Sequence, residues 1–173
     1  MNFFYIILII LTILFIIILL KKNFSNKSSY QKESIDILTK TFGEQNFSQN
    51  GDIFQLQEKL HIKYTPQNNY EKSILTIIES TKHKQDVIYK NNMSHNKPFE
   101  ENTTFQILTN EIIDFSIKKN INLKGSIRLL FLSLNNKALE SLIDDRKQEK
   151  EYIKLFYKLL PSFVTKFNKK LAE

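Results

Sequence analysis

The chain has 173 residues, 25 Lys and Arg against 18 Asp and Glu, a formal charge of +7, and neither Cys nor Trp. That length holds one domain of ordinary size and no two-domain enzyme, and the lack of Cys excludes disulfide frameworks, thiolate zinc sites, iron–sulfur centres and thiol nucleophiles. Lysine outnumbers arginine so heavily, with only Arg128 and Arg146 present, that the charge reads as the bias of an AT-rich coding sequence; nucleic acid, whose recognition favours arginine, is disfavoured as a partner.

Phe3 to Leu20 is apolar at every position except Thr12. Eighteen residues of helix span roughly 27 Å, close to the hydrocarbon thickness of a bilayer, and a lone segment satisfies its backbone in lipid only as a helix. Residues 1–22 are therefore expected to form a transmembrane anchor, with Phe3, Leu11 and Leu20 along its length. A cleaved secretory signal fits less well. The apolar stretch is long, no basic residue precedes it, and Lys21-Lys22-Asn23-Phe24 offers no small-residue cleavage site. Lys21, Lys22 and Lys27 follow the segment, so the positive-inside rule puts the rest of the chain on the cytoplasmic or matrix side of a single-pass membrane protein. The same lysines are candidates for contact with anionic lipid head groups. Residues 23–29 read as a juxtamembrane linker.

Residues 30–173 are expected to form an all-α domain, a small helical bundle in two halves joined by a long polar loop. In the first half, 30–81, Ile35, Leu38 and Phe42 recur at helical spacing and Gly43 supplies a stop. Asn50-Gly51 marks a turn. Residues 52–65 mix helical and alternating patterns, and a helix ending near His61 fits best. Tyr70, Ile74, Ile77, Ile78 and Thr81 lie on one helical face. Residues 82–103 contain a short apolar run, Val87-Ile88-Tyr89, among polar residues and read as a flexible loop.

The second half, 104–173, carries the stronger pattern. Phe105, Leu108, Ile112 and Phe115 form a helical stripe that begins at Thr103 or Thr104 and ends near Asn120. A turn is expected at NLKGS, then a helix broken at Asn135-Asn136. Ile153, Phe156, Leu160, Phe163, Phe167 and Leu171 make a continuous seam from about Glu149 to Leu171. Pro161 falls inside it and predicts a kink, or two helices meeting there.

The chemistry is sparse. Glu79 and His83 stand four apart on one helical face, but no third ligand completes a metal site. Glu111 with Asp114, and Asp144 with Asp145, are carboxylate pairs that read as solvated helix faces rather than an acid–base couple. No nucleophile elbow, phosphate loop or metalloprotease motif occurs. Catalytic, cofactor-binding and metal-binding residues are therefore expected to be absent. Two basic clusters stand out. Lys118, Lys119, Lys124 and Arg128 gather at a helix end, and Lys166, Lys169 and Lys170 interleave with Phe163 and Phe167. The last group, with Phe156, is the candidate interaction face, and it also matches a C-terminal helix whose Phe side packs inward. The expectation is a non-enzymatic, membrane-anchored adaptor or accessory subunit whose partners are the membrane and other protein subunits. Anionic-lipid or RNA contact through the basic clusters, and a membrane-tethered enzyme of unrecognised type, are the alternatives.

Overall fold

A computed structural model describes residues 12–13, 29–43, 47–48, 52–62, 69–94, 101–136, 139 and 149–173. The regular structure among them is helical, with no strand. Residues 29–42 form α1, and α2 spans Ile53–Lys59, α3 Asn69–Ser94, α4 Glu101–Lys118, α5 Leu123–Leu134 and α6 Glu149–Leu171. Among the described residues no helix is long and apolar enough to cross a membrane. The predicted anchor, including Phe3, Leu11 and Leu20, lies outside them apart from Thr12 and Ile13, and so do Lys21, Lys22 and Lys27.

Local chemistry sets the helix ends. Gly43 follows α1 at φ +73° and its N–H returns to the Thr39 carbonyl at 2.9 Å, a left-handed stop that glycine adopts without strain. Asp52 caps α2 by accepting from the Phe54 N–H. His61 ends the same helix at φ +54°, and the next residue, Ile62, reaches back to the Gln57 carbonyl at 3.0 Å. Asn120 and Ile121 repeat this arrangement after α4, Asn120 at φ +53° and the Ile121 N–H on the Ser116 carbonyl at 2.8 Å. Both isoleucines then fold against the core.

Two expectations are corrected in these connections. The NLKGS segment is not a turn. Asn122 caps α5 through the Gly125 N–H at 2.9 Å, so Lys124, Gly125 and Ser126 already belong to the first turn of the helix. Gly125 is needed there for space, since a Cβ would stand 2.6 Å from Ile121 Cγ2. The flexible loop expected at 82–103 is, through residue 94, a continuation of α3. The sequence there carries Lys82, Lys84, Gln85 and Lys90, good helix formers, and has no Gly or Pro before Pro98. Its low apolar content reflects an exposed helix rather than the absence of one.

The core lies among α3, α4, α5 and α6. α4 packs on α3, α5 and α6, and α5 on α3 and α6. α4 and α5 are central, and α5 buries Gly125 to Ile127, Leu129 to Phe131, Ser133 and Leu134. From α6 come Ile153, Phe156, Tyr157, Leu160, Phe163 and Phe167, all buried. Phe131 and Phe156 meet edge to face at 5.4 Å, and Phe156 meets Tyr157 in the same way at 5.7 Å.

Pro161 does not divide the C-terminal element, and α6 stays one helix through it. Proline has no N–H, so the carbonyl four residues back, that of Tyr157, loses its helical partner. That carbonyl is buried and must be satisfied. The Ser34 hydroxyl of α1 supplies the hydrogen bond at 2.5 Å. One side chain thereby repairs the helix and docks α1 on the domain.

Candidate functional site

A cleft of about 430 Å³ opens beside the C-terminal half of α6, lined by Lys84 of α3, Asn110, Ile113 and Asp114 of α4, and Lys166, Lys169, Lys170 and Glu173. A second hollow of about 400 Å³ continues it towards the start of α4, with Phe105, Leu155 and Leu159 as its floor and Gln106, Lys158, Ser162 and Lys166 at its edge. Lys166 belongs to both. Together they form a groove between α4 and α6.

The groove is held in register by polar contacts. Lys166 donates to Asn110 at 3.4 Å and Lys170 pairs with Asp114, and each pair is separated by 56 residues. Equal advance on both helices means that α4 and α6 run in the same direction, side by side. On α6 the groove-lining positions 158, 162, 166 and 170 fall every four residues, the spacing of a natural ridge on a helix surface.

Behind the cleft, Glu111 is 8% exposed. It accepts from the Ser80 hydroxyl and pairs with Lys84. The hydrogen bond to Glu111 holds the Lys84 ammonium above its ordinary pKa, with the charges of Glu111 and Asp114 adding to it and burial opposing. The expectation of a solvated Glu111–Asp114 pair is corrected for Glu111, which is buried because α3 brings it both a hydroxyl and a cation. Glu111 and Asp114 are held by different lysines, Lys84 and Lys170.

The remaining candidate residues separate cleanly in the structure. Phe156, Phe163 and Phe167 are closed into the core at 0–2% exposure. The candidate interaction face therefore reduces to its lysines, because packing against α4 and α5 takes the rings. Lys166, Lys169 and Lys170 are exposed and line the cleft. In the other basic cluster Lys124 and Arg128 turn inward. They lie over the Phe42 ring at 5.2 and 5.6 Å, and Arg128 Nε donates to the Leu60 carbonyl at 2.8 Å. Two of its four charges clamp α1 and α2 to α5. Glu79 and His83 are exposed on α3. His61 serves as a helix stop and stacks with Phe42 at 6.3 Å. Among the described residues no group of three or more His, Cys, Asp or Glu is placed to hold a metal ion. Asp144 and Asp145 lie outside them.

Sequence reading missed Lys158 and the α4 side of the groove. The spacing of Lys158, Lys166 and Lys170 at eight and four residues was available as a signal, but the alignment of the last two with Asn110 and Asp114 arises from tertiary packing. Compared with family models, with curated proteins and with solved structures, the chain matches none.

Proposed function

We propose that this protein is a non-enzymatic, single-pass membrane-tethered adaptor or accessory subunit, with its helical domain on the cytoplasmic or matrix side. The observation that carries the reading is the α4–α6 groove. It is open, has a cationic edge and, in its second hollow, an apolar floor, and lies on a domain whose described large aromatic side chains are otherwise mostly buried. Such a surface suits a partner segment better than a small reactant, because its charged groups are spread along a ridge instead of converging on one point. The apolar run from Phe3 to Leu20 supports the tether, and the lysines behind it support the orientation.

The test is extraction of the full chain from its native membrane, followed by affinity purification in mild detergent. The protein should resist alkaline carbonate and should carry a stoichiometric protein partner. Release by carbonate would remove the tether. A partner-free monomer that turns over a substrate would replace the adaptor reading with an enzyme.

A further inference from the structure

We infer that the α4–α6 groove receives an acidic amphipathic helix of a partner protein, its carboxylates placed at multiples of four residues to meet Lys158 and Lys166. This rests on the adaptor reading and specifies the partner's chemistry.

Charge is the first argument. From Tyr152 to Leu171 helix α6 has five lysines and no acidic residue. Along the groove, Lys84 is matched by Glu111 and Lys170 by Asp114. Among the described residues Lys158, Lys166 and Lys169 have no ion-pair partner, and Lys166 donates to the neutral Asn110 amide. Among the described residues that line the cleft, Glu173 is the one carboxylate left to offset them. The groove therefore keeps a positive surplus that complementary carboxylates would neutralise.

Shape is the second. Two hollows in line, joined at Lys166, make a trough, and Leu155 and Leu159 remain half-buried on its floor. From Lys158 to Lys170 the ridge is roughly 18 Å long, and each four-residue step rises about 6 Å. A helix laid in the trough repeats its own side chains at the same step, with leucine-type residues able to cover the floor between acidic ones.

The same features disfavour other polyanions. A planar bilayer touches the lysine tips but leaves the recessed floor uncovered. Single-stranded RNA needs exposed aromatic rings or arginines for stacking. The exposed aromatic residues among those described, Phe54 and Tyr89, lie on α2 and α3, and Arg128 is committed to Leu60 and Phe42.

The experiment uses the full chain in phosphatidylcholine nanodiscs and a fluorescent synthetic helix with Glu at four-residue steps and Leu on the adjoining ridge. Anisotropy should show this probe binding at least tenfold more tightly than an isomer of identical composition whose Glu positions are scrambled. Substituting K158E and K166E together should weaken it at least tenfold, and a Lys-bearing counterpart of the probe should regain affinity for that variant. Thermal melting checks that the variant is folded, and K158Q with K166Q replaces it if charge reversal disturbs the domain. Equal binding of the probe and its isomer would overturn the inference, since diffuse charge would then suffice. So would stronger lysine-dependent binding to phosphatidylserine nanodiscs or to polyuridylate. If the probe fails while K158E/K166E protein still co-purifies with a stoichiometric partner, the acidic helix is wrong and the adaptor reading stands. If the native membrane yields no partner, the adaptor reading fails on its own test.

Discussion

Two rows of side chains run along α6 within a few ångströms of each other. One, through Phe156, Leu160, Phe163 and Phe167, is buried almost completely. The other, through Lys158, Ser162, Lys166 and Lys170, borders an open groove. The first row stabilises the domain by removing apolar area from water and by close packing. The second contributes little to folding, because exposed charges in high dielectric interact weakly. A single helix thus keeps stability and surface chemistry on separate rows, and substitutions can address one while sparing the other.

The largest expected effect lies in the buried row. Phe163→Ala should destabilise the domain by about 3–5 kcal/mol, read from chemical denaturation, because it opens a cavity in a fully closed site. A loss below about 1 kcal/mol would place Phe163 at the surface and collapse the distinction between the rows. Next is the link to α1. Ser34→Ala should cost about 1–3 kcal/mol by leaving the Tyr157 carbonyl without its donor. In a Pro161→Ala background, where the helix supplies that donor itself, the same change should cost much less. Additive effects in this double-mutant cycle would show that serine and proline are unconnected.

Tyr157→Phe tests the buried row in the opposite direction. Among the described residues the buried phenolic oxygen has no hydrogen-bond partner, so its removal should be neutral or stabilise by about 1 kcal/mol. Burial pushes the Tyr157 pKa upward, and the hydrogen bond to Glu111 raises that of Lys84. Both groups hold their protons more tightly folded than unfolded. Their contributions are complete below the unfolded values, about 10 for Tyr and about 10.4 for Lys, and decline as pH rises beyond them. Stability should therefore fall on the alkaline side above roughly pH 10, and Tyr157→Phe should shallow that fall in a pH series of denaturation midpoints. The smallest effect belongs to the exposed row. Lys158→Glu should change stability by less than about 0.5 kcal/mol in the same assay. A larger loss would mean that the lysine ridge also supports the core.

What the sequence disclosed divides along similar lines. The seam of α6 from Ile153 to Phe167 and the stripe Phe105, Leu108, Ile112 were readable because large apolar residues at helical spacing have one economical use, although Leu171, the seam's last member, is exposed and Phe115 only partly buried. The stop at Gly43 was readable from local chemistry, whereas the helix end near His61 was only the better fit to a mixed apolar pattern. The second half of α3 was not, since an exposed helix held by backbone propensity and a few contacts such as Lys84–Glu111 leaves no hydrophobic period. Nor was the fate of Glu111, whose partners Ser80 and Lys84 lie 31 and 27 residues away in sequence. Half of the candidate site, its C-terminal lysines Lys166, Lys169 and Lys170, could be picked out in advance. The other half, the α4 side that turns a row of charges into a trough, depends on two helices lying parallel in a fixed register.

The bond between Ser34 and the Tyr157 carbonyl bears on how this chain can drift. Position 34 needs a hydroxyl because position 161 lacks an amide hydrogen, and the two stand in helices far apart in sequence. Any relative that exchanges Pro161 for an ordinary residue is released from the requirement at 34, whereas one that keeps the proline must keep Ser or Thr there or find another donor. The two positions should change together, and a gathered set of related sequences would display that linkage before any of their structures was known.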